Sequence, residues 1–241
     1  MDYVNSRLTA AYDSLNPPAE YERFYLNLAG AAPKTILDMG CGTGRLACDL
    51  AGRGHRVTGA DPAPAMLDIA RKRPGGDQVD WIQSDAGGLS LSLRFDLIIM
   101  TGHAFQKLLT NEDIKAALRA FARHLSDEGK LAFETRNPIT REWEEWVPQL
   151  SRAVVMLPDG STVDTHNEIR SVVGELVTYE THVSFGPRDE VMGADTLRFV
   201  SRPELTQFLN EAGFVRQTWY GDWDRSPVGA QSPELIVIAQ L

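Results

Sequence analysis

The sequence predicts an α/β fold in which a mostly parallel sheet is covered by helices on both faces and carries an added antiparallel meander. Three observations lead there. Apolar runs alternate with helical stretches from Thr35 to Glu134, and a glycine-rich turn joins the first run to the helix after it. About 60 residues then pass before the next clear helix, far more than a simple connection uses.

Residues 1–33 are polar and tyrosine-rich, with Tyr3, Tyr12, Tyr21 and Tyr25 on either side of Asn16-Pro17-Pro18. Proline interrupts a continuous helix, so two short helices are expected there. Thr35-Ile36-Leu37 opens the first strand, Gly40-Cys41-Gly42-Thr43-Gly44 is the turn, and a helix follows from about Arg45 to Arg53, closed by Gly54. His55 to Ala60 reads as the second strand, Ala63 to Arg73 as a helix ended by Pro74-Gly75-Gly76, and Val79 to Gln83 as the third strand. Phe95 to Met100 is apolar enough for a central strand covered on both faces. Thr110 caps a helix running to about Leu125, after which Asp127-Glu128-Gly129 turns the chain into a strand from Lys130 to Glu134.

The insertion opens with the tryptophan-bearing segment Ile139 to Leu150, continues as Ala153 to Leu157, and turns at Pro158-Asp159-Gly160. Two further strand-like runs, His166 to Val173 and Leu176 to Phe185, make it an antiparallel meander. Ser201-x-x-Glu204 is a capping-box pattern that opens a helix through Ala212, and Val215 to Tyr220 and Glu234 to Gln240 read as the last two strands.

Charge narrows the partners. The 241 residues hold 24 Lys and Arg against 33 Asp and Glu, a net charge of -9. That sign opposes the counterion release that drives nucleic-acid binding, so a nucleic-acid partner is disfavoured. No stretch approaches the roughly 18 apolar residues of a membrane span and no basic-then-apolar leader opens the sequence; a cytoplasmic protein without a membrane partner is expected. Cys41 and Cys48 have no companion residues at metal-ligand spacing, so reduced thiols and no metal are expected.

Glycines between a first strand and a first helix let a ligand approach the backbone, because side chains would occupy that space. A dinucleotide loop of the form Gly-x-Gly-x-x-Gly would need glycine at position 45, where Arg45 stands. Three glycines within five residues make a more open loop. Leu37-Asp38-Met39-Gly40-Cys41-Gly42-Thr43-Gly44 resembles the first motif of class I S-adenosylmethionine-dependent methyltransferases. The resemblance covers residues 34–136 well and 197–241 loosely.

The resemblance implies a Rossmann-like three-layer sandwich with a seven-stranded sheet of order 3-2-1-4-5-7-6. Its cofactor would be S-adenosyl-L-methionine, with S-adenosyl-L-homocysteine as product. Residues 1–33 become a helical lid, 34–138 with 197–241 the cofactor-binding domain, and 139–196 an inserted substrate cover. Asp61, at the end of the second strand, is placed to accept from ribose hydroxyls, which supports a nucleoside-containing ligand without choosing between methyl and hydride transfer. Asp85 and Ala86 resemble the family's adenine-binding position, although an aspartate there also suits a turn cap. Asp38, Gly40, Cys41, Gly42, Thr43, Gly44, Pro62 and Met66, with Thr101, Gly102, His103 and Phe105 after the fourth strand, complete the implied cofactor contacts.

Methyl transfer from a sulfonium is an in-line displacement, which asks the protein chiefly to hold an acceptor opposite the sulfur and exclude water. An alcohol acceptor usually needs a base whereas an amine may not, and His103 beside the donor end is the candidate base; it reads equally as a polar loop residue or a cofactor contact. Tyr12 and Tyr21 could present ring faces to the sulfonium as a lid, or simply pack two helices on the sheet. The insertion follows the fifth strand, near the strand ends where ligands bind, so Arg136, Asn137, Trp143, Trp146, Tyr220, Asp222 and Trp223 are candidate contacts to a small-molecule methyl acceptor. Packing of the insertion is the alternative for both tryptophans. A nicotinamide-dependent oxidoreductase and a non-catalytic cofactor-binding protein are the rival functions, and a homodimer is left open.

Overall fold

The computed structural model describes residues 5–241; Tyr3 lies outside them. The tyrosine-rich start folds into α1 (Ser6–Leu15) and α2 (Glu20–Ala29), separated by Pro17-Pro18. Asn5 caps α1 by accepting from the amides of Arg7 (3.0 Å) and Leu8 (3.4 Å), as short polar side chains do at helix starts.

The alternating segment follows as β1 (Thr35–Met39), α3 (Arg45–Gly52), β2 (Arg56–Asp61), α4 (Pro64–Ala70), β3 (Val79–Gln83), β4 (Phe95–Met100), α5 (Asn111–His124) and β5 (Leu125–Arg136). Two details depart from expectation. α4 stops at Ala70 rather than Arg73, and the guanidinium of Arg73 turns back to the Thr43 carbonyl (2.9 Å) and to Asp13. β5 begins at Leu125 with no break at 127–129. Phe95 pairs with Leu125 and Leu97 with Lys130, so residues 126–129 bulge opposite Asp96 alone. Gly129 fits that bulge because a Cβ there would come within 2.8 Å of the Phe95 carbonyl.

After a short 3₁₀ turn and α6 (Pro148–Ser151), the insertion forms β6 (Ala153–Met156), β7 (Thr162–Val173), β8 (Leu176–Gly186) and β9 (Asp189–Arg198). These make a four-stranded antiparallel sheet in the order β6-β7-β8-β9. β9 was not foreseen: its charged residues and Gly193 hide the alternation, and pairing along nearly all of β8 decides its conformation. The insertion therefore reaches Arg198 rather than residue 196. α7 (Arg202–Glu211), β10 (Arg216–Tyr220) and β11 (Glu234–Gln240) complete the fold.

The main sheet runs β3-β2-β1-β4-β5-β11-β10, the expected order, with β10 and β11 antiparallel to their neighbours and the rest parallel. One face packs Leu118, Phe121 and Phe208 of α5 and α7 against Phe133; the other packs Phe24 and Leu50 of α2 and α3 against Ile36 and Ile99. Each fully buried side chain of this size contributes roughly 1.5–3 kcal/mol. The parallel strands consequently all end on one edge, where the strand ends Asp61 and Arg136 and the loops carrying Gly40, Asp85 and Thr101 converge. Among the described residues no helix is long and apolar enough to cross a membrane.

Candidate functional site

At that edge lies a cleft of about 420 Å³ bordered by Gly40, Gly42, Asp61, Asp85, Thr101 and His103, and lined as well by Tyr12 of α1 and Tyr179 of β8. A small recess lined by Asp38, Cys41, Thr43 and Tyr21 adjoins it through Tyr12, Gly40, Gly42, Thr101 and Gly102.

The three glycines of the turn serve different ends. All have positive φ (74° for Gly40, 54° for Gly42, 77° for Gly44), the region that side chains avoid. Gly42 lies open beneath Tyr12, whose ring is 3.9 Å from a Cβ placed there. Gly44 does not border the cleft. A Cβ on it would stand 2.4 Å from the Trp81 ring and one on Gly59 2.3 Å, so these glycines make room for an indole that donates to the Gly76 carbonyl (2.7 Å). Thr43 also turns away, its hydroxyl donating to Asp13 (2.6 Å).

Asp38, next to last in β1, is almost fully buried, and its Oδ1 has no hydrogen-bond partner among the described residues. Burial, then the charges of Asp61 and Glu134, push its carboxyl up to about 7. Asp61 accepts the Gly42 amide on Oδ2 and the Ala63 amide on Oδ1, both at 2.8 Å, which fixes the turn to β2 and leaves one lone pair on each oxygen. Its pKa is raised by burial, against the pull of those two amides. Asp85 borders the cleft and accepts the Gly88 amide at 2.6 Å, the turn cap that was its alternative role. Pro62 and Ala86 line the cleft, whereas Met66 and Phe105 are core: Phe105 stacks on Phe133 at 4.0 Å.

His103 follows β4 in a left-handed conformation (φ 59°), its amide donating to Glu134 (2.8 Å) and its Nε2 lying 2.9 Å from Glu234. Titration near neutrality, the ground for choosing it as a base, does not hold for the isolated ring. Burial, then the Arg136 charge, lowers it to about 4, while burial raises Glu234 to about 8. Burial thus moves the two members of this close pair in opposite directions.

Of the acceptor candidates, Arg136 alone borders the cleft, donating to Gln106 and Glu142 (3.0 Å each) and lying over the Trp146 ring. Asn137 is buried and donates to the Ser232 carbonyl (2.9 Å), tying two loops together. Trp143 packs on Phe199 and Trp146 on Tyr179, the packing alternative for both. Tyr220 and Trp223 pack on Phe24 of α2, and Asp222 accepts the Trp223 amide (2.7 Å). Tyr21 reaches the recess but not the cleft, because Arg45 donates to it while also bonding Glu22 and the Asn16 carbonyl. Asn16, Lys107, Tyr179, Asp195 and Leu197 line the cleft unforeseen. Lys107 and Asp195 pair across 88 positions, a separation that leaves no local signal. Glu134 did leave one, as a carboxylate directly after the apolar run Leu131-Ala132-Phe133. Among the described residues no group of three or more metal-ligating side chains converges.

An orphaned carboxylate at the glycine turn, a carboxylate with spare lone pairs at the end of β2 and another beyond β3 fit a ligand that has a cationic or donor-bearing end and a nucleoside end. Residues 36–129 match the family model described as a methyltransferase domain. Over 105 residues the chain is 32% identical to a cypemycin N-terminal methyltransferase from a Streptomyces species, covering 44% of this chain and 43% of that protein. Against the first curated relatives it matches, the chain spans about half of their length. Among solved structures, an S-adenosylmethionine-dependent methyltransferase from Clostridium acetobutylicum superposes with a TM-score of 0.76 at 16% identity over 98% of both chains. An amino pentose methyltransferase of calicheamicin biosynthesis from Micromonospora echinaspora gives a TM-score of 0.71 at 23% identity, over 96% of this chain and 95% of that one. These likenesses show a shared fold that includes the insertion and the N-terminal helices.

Proposed function

We propose that this chain, which has the class I S-adenosylmethionine-dependent methyltransferase fold and in which residues 36–129 form a methyltransferase domain, transfers a methyl group to nitrogen or oxygen of a small molecule. The observation that carries the reading is the meeting of Asp38, Gly40, Gly42, Asp61 and Asp85 around one cleft and its recess, with the buried Asp38 Oδ1 unpartnered. Gly40 and Gly42 would admit the cofactor to the backbone, Asp61 would accept from its ribose, and Asp85 with Ala86 would take its adenine. Thr101, Gly102 and His103 would border the methionine end, where Asp38 could meet a positive charge. When bound, the cofactor supplies an electrophilic methyl on a sulfonium.

What the protein adds is placement. α1 borders the cleft through Tyr12, its Asp13 bonded to Thr43 and Arg73 and its Arg7 forked onto Asp189 of β9 (2.7 and 2.9 Å). Residues 5–33 thus read as a lid and 139–198 as the acceptor's cover, since Tyr179, Asp195 and Leu197 reach the cleft from β8 and β9. The small-molecule acceptor is drawn from this enclosure and from the amino pentose methyltransferase of the same fold. Arg45 weighs against a dinucleotide, because it stands where the third glycine of Gly-x-Gly-x-x-Gly would be. Calorimetric titration tests the reading: S-adenosylhomocysteine should bind and NAD should not. Binding of NAD with no response to S-adenosylhomocysteine would overturn it.

A further inference from the structure

A chain of buried polar groups runs under the cleft that cofactor binding does not require. β5 and β11 pair antiparallel with Arg136 opposite Glu234 and Glu134 opposite Ile236, which puts Glu134, Arg136 and Glu234 on one face at the strand ends. Glu134 is fully buried, holding the His103 amide on one oxygen (2.8 Å) and the Tyr25 hydroxyl of α2 on the other. The His103 Nε2 meets both oxygens of Glu234, at 2.9 and 3.1 Å. Its Nδ1 makes no hydrogen bond to a described residue and is not among the fully buried unpartnered atoms, and the residue itself borders the cleft. Two buried carboxylates and a left-handed histidine each cost free energy, so their concentration at one point of a ligand cleft calls for a role.

We propose that His103 and Glu234 act as one proton acceptor, in which Glu234 is a positioning residue that holds the proton on Nε2 so that the Nδ1 lone pair faces the cleft. A carboxylate on one imidazole nitrogen selects the tautomer that leaves the other free, and it stabilises the imidazolium formed when that nitrogen takes a proton. Glu134 and Tyr25 hold the loop beneath the ring. The inference rests on the methyl-transfer reading. There the acceptor's lone pair forms the new bond to carbon, the carbon–sulfur bonding pair passes to sulfur, and the acceptor's proton goes to Nδ1.

The surroundings set the working pH. Arg136 faces the pair from β5, Glu142 from the 3₁₀ turn beyond it and Asp222 from the loop after β10, while Asp38 stands behind Tyr25 and Glu134. Burial raises Glu234 to about 8 and lowers His103 to about 4, so the shared proton leaves at about pH 8 and the pair becomes basic above it.

Nitrogen NMR of the imidazoles, on protein saturated with S-adenosylhomocysteine, tests this without a known acceptor; His103→Asn identifies the resonances, asparagine tolerating the left-handed backbone. The His103 ring should show a step near pH 8 and carry its proton on Nε2 above it. Glu234→Gln should abolish the step and Glu234→Asp should restore it. A step that persists in Glu234→Gln, or a proton on Nδ1 above pH 8 in the parent protein, would overturn the proposal; the parent measurement decides even if Glu234→Gln does not fold. Absence of S-adenosylhomocysteine binding would instead count against the methyl-transfer reading, so the two failures are distinguishable.

Discussion

At the scale of single residues, the carboxylates at the strand ends carry the proposed chemistry. Asp61 already holds two backbone amides, so Asp61→Ala removes both the turn's anchor and the expected ribose acceptor. Its affinity for S-adenosylhomocysteine should fall by about 1.5–3 kcal/mol, measured by calorimetry, and an unchanged affinity would remove Asp61 from the site. Trp81 gives a prediction about stability instead. Gly59→Ala would drive a Cβ to 2.3 Å from the indole, an overpacking that should cost about 1–3 kcal/mol by denaturant unfolding. Trp81→Leu in the same chain should recover part of that loss, because contacting residues are not additive. Strict additivity would mean that the glycine is there for another reason.

At the scale of elements, α1 and α2 are held less by their own helical tendency than by Arg45, which is largely buried and bonds Glu22, Tyr21 and Asn16 together. Short helices are marginal alone, so tertiary ties decide whether they form. Arg45→Met strands the Glu22 carboxylate, at a cost of roughly 1–3 kcal/mol after allowing for partial exposure. Amide exchange should accelerate in α1 and α2 while β1 and β4 keep their protection. Uniform acceleration across the sheet would show that Arg45 supports the whole domain rather than the lid.

At the scale of the whole molecule, the ligand-free protein carries Asp38 and Glu234 with pKa values raised to about 7 and about 8. A raised carboxylate contributes stability that is complete below its unfolded value and is lost as pH climbs through the folded one. His103 acts oppositely, but only below its ordinary 6.5. Between pH 6.5 and about 8 the melting temperature should therefore fall, by about 2–4 °C for each kcal/mol lost, and Asp38→Asn should flatten the decline. A melting temperature that rises across this window would contradict it. Much of the fold was legible in the sequence: the bounds of β3, β4 and β11, the Thr110 cap and the sheet order all follow from periodicity, capping and a motif, which are local in the chain. Asp38, Gly42, Asp61 and Asp85 were legible for the same reason, each lying at a strand end beside its own turn. β9, the bulge at 126–129, the packing roles of Trp143, Trp146 and Trp223 and the pairs Lys107–Asp195 and His103–Glu234 were not. Apart from β9, whose partner β8 adjoins it but whose own alternation is hidden, those depend on partners tens of residues to more than a hundred residues away, and burial among such partners, which no local pattern encodes, takes His103 out of the neutral range.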